Sequence, residues 1–199
     1  TAGGKKGNVP FGTLTNVTES PFQFGLLYTG SDDGVIQVTQ DAGGSWAIIS
    51  EELPQDLWVS KVLASSHKKG RVYATLNGYR YDDFKPYVYV SDDFGASWKD
   101  ISSNLPLSPV NVIIEDPVKE NILYLGTDDA SYISFDQGSS WELLDGSMPN
   151  VAVHDMVVQT EANDLVIGTH GRSIYITNLD EIQKFDAGKA SDLQLFELD

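Results

Sequence analysis

Three pairs of adjacent carboxylates, Asp32-Asp33, Asp82-Asp83 and Asp128-Asp129, are the residues of this sequence best equipped for chemistry. Two carboxyl groups facing each other across a cleft can cleave a glycosidic bond, one as proton donor and the other as base or nucleophile. The spacing selects no pair, and Asp82 and Asp128 are the candidates carried forward as catalytic. The same pairs are the only feature that would hold Ca2+, although two carboxylates at a tight turn need no ion to explain them. Around Asp82 and Asp83 lie Tyr79, Arg80, Tyr81, Phe84 and Lys85. Aromatic rings with a few polar groups suit a sugar face or a peptide. Packing of the segment on its neighbour explains those residues equally well. His170-Gly171-Arg172 could bind an anion, but a glycine-permitted turn with a structural arginine is the simpler reading.

Other chemistries are excluded by what the chain lacks. With no cysteine among 199 residues there is neither a disulfide framework nor a thiolate nucleophile or metal site. His67, His154 and His170 share no metal-ligand spacing, and no Gly-x-Ser-x-Gly motif is present. A formal charge of −16 repels a phosphate backbone, so nucleic acid is not an expected partner, whereas cationic partners and neutral sugars are. Hydrophobic residues make up 41% of the chain, enough for a packed core. No run reaches the length of a membrane span, and the first residues lack the apolar stretch of a signal peptide. The chain opens without Met, as a processed chain or an excised piece would.

What positions the candidate residues is a repeat. Residues 39–46, 91–98 and 134–141 all fit [ST]-x-D-x-G-x-S-W, carrying Asp41, Gly43 and Trp46, then Asp93, Gly95 and Trp98, then Asp136, Gly138 and Trp141. Each box follows a β-rich run and precedes another. The box tryptophans are 52 and 43 residues apart, and the longer interval contains an insertion at residues 77–86. Four-stranded units of roughly 45 residues are the signature of propeller blades. The expected fold is all-β: a partial β-propeller of about four antiparallel four-stranded blades at residues 12–52, 53–104, 105–147 and 148–178. A flexible lead-in at residues 1–11 precedes them. A tail at residues 179–199 follows, helical where Leu179, Ile182 and Phe185 share a face, with a possible strand at Leu193-Gln194-Leu195. The fourth unit has no box after its third strand, so its fourth strand is missing or comes from elsewhere.

Turn chemistry accounts for the box. The Asp or Ser side chain accepts turn N–H groups, Gly supplies a positive φ, and Trp buries apolar area between neighbouring blades. The boxes are therefore read as scaffold. In an up-and-down blade they mark one end of the strands. The opposite end collects Asp32, Asp33, residues 79–85, Asp128, Asp129, His170 and Arg172.

At these residues the chain resembles the Asp-box, or BNR-repeat, β-propellers, which include sialidases, xyloglucanase-type glycoside hydrolases and the sortilin ectodomain. The resemblance covers about residues 12–178. With residues 30–34, 126–129 and 168–173 added, it looks most like bacterial sortilin-like proteins labelled glycosyl hydrolase. The resemblance implies a ring with more blades than these four, so the remaining blades of a larger propeller, or a second copy, are expected partners. It also implies an active or binding cleft opposite the boxes, and export from the cell. Sialidase chemistry is disfavoured, because the only arginines are Arg71, Arg80 and Arg172 and Arg71 falls at the box end. The expected function is ligand binding, for peptide, protein or glycan, with no complete catalytic site in this piece. The alternative is one half of a xyloglucanase-like hydrolase.

Overall fold

The structure, a computed structural model, describes residues 12–144 and 148–185. The expected lead-in at residues 1–11 and the alternating Leu193-Gln194-Leu195 lie outside the described residues. Four antiparallel meanders follow one another along the chain. Blade 1 comprises β1 (Leu14–Glu19), β2 (Leu27–Ser31), β3 (Ile36–Thr39) and β4 (Ala47–Ile48). Blade 2 comprises β5 (Trp58–Ala64), β6 (Val72–Gly78), β7 (Asp83–Ser91) and β8 (Lys99–Asp100). Blade 3 comprises β9 (Val110–Glu115), β10 (Leu123–Thr127), β11 (Ser131–Ser134) and β12 (Glu142–Leu143). Blade 4 has β13 (Val153–Gln159), β14 (Asp164–Thr169) and β15 (Ile174–Asn178), with no fourth strand among the described residues. Its chain turns instead into α1 (Asp180–Lys184), which Leu179, Ile182 and Phe185 flank or share as the helical spacing predicts.

Blades pack face to face, and each contact is one layer of core. Tyr28 and Ile36 of blade 1 meet Val59, Val62 and Leu76 of blade 2. Tyr73 and Val88 meet Ile113 and Leu125 across the second interface. Tyr124 and Ile133 meet Met156 and Ile167 across the third, where Leu179 is also buried. Fully burying each such side chain contributes about 1.5–3 kcal/mol, so the blades are held by their faces more than by strand ends.

The three boxes are built alike. Asp41 Oδ1 accepts the Thr39 hydroxyl and the Ser45 N–H at 2.8 Å each, and Oδ2 accepts the Ser45 hydroxyl at 2.7 Å. Asp93 repeats this with Ser91 and Ser97, and Asp136 with Ser134 and Ser140. The residue before each box glycine also takes a positive φ, 57° at Ala42, 64° at Phe94 and 57° at Gln137. Its N–H is spent on the turn between the first two strands, donating to the carbonyls of Gly25, Gly70 and Asn121. The expected burial of the tryptophan is complete at Trp141 and partial at Trp98. Trp98 Nε1 donates to the Ile49 carbonyl at 2.6 Å and Trp141 Nε1 to the Ile101 carbonyl at 2.7 Å, each reaching the blade before. Trp46 is the exception, at 42% exposure, because no blade precedes it among the described residues.

The inner strands carry a second fastener. In each, one residue bulges out of register: Thr15, Ser60, Asn111 and His154. In the first three, its side chain reaches the next blade at the residue just before that blade's own bulge. Thr15 Oγ1 donates to the Val59 carbonyl at 2.8 Å, Ser60 Oγ to the Val110 carbonyl at 2.7 Å, and Asn111 Nδ2 to the Val153 carbonyl at 3.1 Å. A bulge re-aims one side chain without ending the strand. Here it turns a sheet residue into an interblade bond.

Candidate functional site at the strand ends opposite the boxes

The end away from the boxes is fixed by a repeated backbone bond. The residues that follow the second strand in blades 1, 3 and 4, Asp32, Asp128 and His170, donate their N–H groups to Thr13, Pro109 and Ala152 at 3.0, 3.0 and 2.9 Å. These three residues therefore occupy equivalent places on one rim. In blade 2 the same place is taken by the insertion. Strands β6 and β7 extend to Gly78 and Asp83, so the expected insertion at residues 77–86 is a hairpin extension of the sheet. A 3-10 turn at Tyr79–Tyr81 closes it, with Gly78 paired to Asp83. The extension is possible because Tyr87 continues the pairing and Asp82 accepts a left-handed φ of 59° at the turn's end.

The extension presents an aromatic surface. Tyr79, Tyr81 and Phe84 are exposed, and the rings of Tyr79 and Phe84 meet edge to face at 6.0 Å. The Arg80 guanidinium lies 4.7 Å from the centre of the Trp58 ring, at the start of the inner strand β5. Cation–π stacking fixes an otherwise mobile arginine. Further in, Lys61 Nζ of blade 2 approaches Asp155 Oδ1 of blade 4 at 3.5 Å, and the rings of His154 and His170 are 5.1 Å apart. Sequence reasoning missed Trp58, Lys61, His154 and Asp155. The available signal was the polar interruption of otherwise apolar inner strands.

Most of the candidate carboxylates are already committed. Asp32 Oδ1 accepts the N–H groups of Gly12 and Thr13 at 2.7 Å each. Asp33 accepts the Ser31 hydroxyl and the Val35 N–H, closing its own turn. Asp83 Oδ2 accepts the Tyr87 hydroxyl at 2.7 Å, and this bond, opposed by partial burial, holds its carboxyl below the usual carboxylate range. Asp128 Oδ1 accepts the Asn111 amide at 2.8 Å. Asp82 and Asp129 are exposed, as is Arg172 beside His170. Among the described residues no group of three or more His, Asp or Glu side chains is placed to hold a metal ion.

The box end has its own concavity, a depression of about 260 Å3 lined by Leu63, Ile114, Met156 and Val158. Glu115 stands at its wall but is buried, accepting the hydroxyls of Ser65, Ser66 and Tyr73 and the Ser66 N–H. It ties blade 2 to blade 3. Arg71, the remaining arginine, does the same at that end, with Asp92 at 2.6 Å and Glu120 at 2.8 Å. Among the described residues no helix is long and apolar enough to cross a membrane.

No family profile and no curated protein sequence matches the chain. Solved structures do. The GH74 xyloglucanase from Xanthomonas campestris is similar with a TM-score of 0.67 at 14% identity, over 84% of this chain and 29% of that one. The extracellular domain of the one-component system BT4673 from B. thetaiotaomicron is similar with a TM-score of 0.62 at 13% identity, over 83% of this chain and 21% of that one. YCF48 bound to D1 peptide gives a TM-score of 0.54 at 16% identity, over 85% of this chain and 55% of that one. The chain spans less than a third of the xyloglucanase and about half of YCF48. At these identities the likeness is one of fold, and the fold is that of consecutive blades from a β-propeller.

Proposed function

We propose that this chain is the ligand-binding part of a larger propeller, and that it takes a peptide at the rim opposite the boxes. The observation that carries the reading is the blade 2 extension, where Tyr79, Tyr81 and Phe84 are held exposed on a rigid hairpin and Arg80 is stacked on Trp58. Rigid aromatics lose little entropy on binding and favour extended chains and sugar faces alike. The charge of −16 favours a cationic peptide. The peptide-bound YCF48 structure supports this choice, as a similar fold that holds a peptide. The extracellular domain among the similar structures supports placing the parent protein outside the cytoplasm.

The similarity to GH74 enzymes favours a second reading, one half of a glycoside hydrolase cleft. Against it, Asp32, Asp33, Asp83 and Asp128 are engaged in turn and strand bonds, and Asp83 is held in its ionised form, unsuited to a general acid. Isothermal titration with basic, aromatic-containing peptides and with xyloglucan oligosaccharides separates the two. Peptide binding lost on Tyr81→Ala or Arg80→Ala is the expected result. Hydrolysis of a polysaccharide panel by a longer form of the protein, lost on Asp82→Asn or Asp128→Asn, would establish the enzyme instead.

A further inference from the structure

The end of the blade 2 hairpin is not held by the ladder that carries it. Regular pairing of β6 with β7 stops at Leu76 and Tyr87, and the register shifts before Gly78 meets Asp83, so Asn77 lies at the break. The Asn77 side chain, 6% exposed, bridges it: Oδ1 accepts the Tyr79 N–H at 3.0 Å and so fixes the turn that bears the aromatic rings. Its Nδ2 leaves the blade, donating to Asn111 Oδ1 on β9 at 2.8 Å and to the Val110 carbonyl at 3.5 Å. Asn111 Nδ2 in turn donates to Asp128 Oδ1 at 2.8 Å and to the Val153 carbonyl of blade 4 at 3.1 Å. Side chains thus join the hairpin's turn to blades 3 and 4.

Chemistry fixes the direction of both amides. A backbone N–H only donates, so Asn77 must turn its oxygen to Tyr79; an ionised carboxylate only accepts, so Asn111 must turn its nitrogen to Asp128. The middle bond then runs from Asn77 to Asn111 and no other way. Interblade bonding does not call for an amide at position 111, because the hydroxyls of Thr15 and Ser60 make the equivalent bond from blades 1 and 2. The extra capacity of Asn111 is spent on Asn77 and Asp128. We propose that Asn77 and Asn111 are positioning residues, which hold the aromatic hairpin at a fixed place against blades 3 and 4, with Asp128 as the anchor of the relay. Tyr79, Tyr81 and Phe84 then meet a ligand without first having to be ordered, and the entropy cost of binding falls. The use made of the hairpin rests on the peptide reading; the positioning itself does not.

The test is amide hydrogen exchange at Tyr79, read by NMR, with the Ile101 N–H, bonded to the Val88 carbonyl at 2.9 Å in the same blade, as reference. Asn111→Ser keeps a hydroxyl for the Val153 carbonyl, as Ser60 does for Val110, but cannot span Asn77 and Asp128. The Tyr79 N–H, which Asn111 does not touch, should then exchange at least about tenfold faster, with Ile101 unchanged. Asn77→Ala should have the same effect. Binding of the basic, aromatic-containing peptides should weaken about tenfold in Asn111→Ser, although every ring of the hairpin is retained. Unchanged exchange at Tyr79 in Asn111→Ser would overturn the proposal, since the hairpin would then be held by its own pairing and by Arg80 on Trp58. Equal acceleration at Tyr79 and Ile101 would overturn it as well, as loosening of the whole blade rather than release of the hairpin. So would a peptide affinity that stays constant while Tyr79 is released. The exchange measurement needs no ligand, so the relay stands or falls by it even where the proposed function fails.

Discussion

The Tyr73 hydroxyl donates to the Glu115 carboxylate at 3.1 Å, joining the second strand of blade 2 to the inner strand of blade 3 inside the core. The same carboxylate accepts both Ser65 and Ser66. The carboxylate is thus the shared acceptor of the buried Ser65 and Tyr73 hydroxyls. Glu115→Ala removes that acceptor from both and is expected to destabilise the chain by about 2–4 kcal/mol, against about 1 for Tyr73→Phe. Urea midpoints of the two variants check the ratio.

Glycine slots give a second contrast. Gly126→Ala places a methyl group 2.5 Å from Val153 and 2.8 Å from Val112, and is expected to cost about 1–3 kcal/mol. At Gly168, the equivalent place in blade 4, the nearest atom to such a Cβ is 3.5 Å away. Gly168→Ala should shift stability by less than about 0.5 kcal/mol. Thermal denaturation of both variants decides whether the slot or the residue type is responsible.

Acid should loosen the boxes. Hydrogen bonds from Ser45 and Thr39 to Asp41, and from Ser97 and Ser91 to Asp93, lower both carboxyls to about 2. At Asp136 burial opposes the bonds from Ser140 and Ser134, which still prevail and lower it. A depressed folded pKa gives stability that is present above the unfolded value of about 3.9 and lost as pH falls through the folded one. Stability should therefore fall between about pH 4 and about pH 2. Asp93→Asn should flatten that part of the profile, followed by near-ultraviolet circular dichroism.

Alkali probes the core from the other side. Burial raises the Tyr28 and Tyr89 hydroxyls to about 12, and burial together with the Asp83 carboxylate raises Tyr87 to about 12. Raised folded values mean that stability is fully present below the ordinary tyrosine range and is lost as pH rises through about 12. A spectrophotometric titration should show these tyrosines ionising late and together with unfolding, and Tyr87 earlier in Asp83→Asn.

How much of this was legible follows from where the constraint lies. Box turns could be read because Asp, Gly and Ser each have a local role that does not depend on the rest of the fold. Ala42, Phe94 and Gln137 could not, since nothing in an alanine, phenylalanine or glutamine announces a positive φ; the carbonyls of Gly25, Gly70 and Asn121 impose it. Residues 77–86 could be read only as an insertion, since the pairing between β6 and β7 that makes them a hairpin extension is set by the partner strand. The rim of Asp32, Asp128 and His170 was reachable from blade topology alone. Trp58 under Arg80 was not, because a tryptophan opening a strand reads as core. Trp46 was expected to be buried as Trp141 is, and its exposure goes with the absence of a blade before it among the described residues.

The two kinds of interblade bond run in opposite senses, and that has a mechanical consequence. Bulge residues donate forward at the inner radius, and box tryptophans donate backward at the outer radius. Two separated fasteners stop a plate from swinging, whereas one allows it to hinge. Between blades 3 and 4 the outer tryptophan is absent from the described residues, and its duty falls to α1, where Gln183 bonds Asp116 at 2.9 Å and Phe185 leans on Phe135 at 4.7 Å. Tension on the chain beyond Phe185 would draw out that substitute first and let blade 4 swing on its inner edge. The same tension arriving ahead of blade 1 would not load it, so the assembly resists pulling unequally from its two ends.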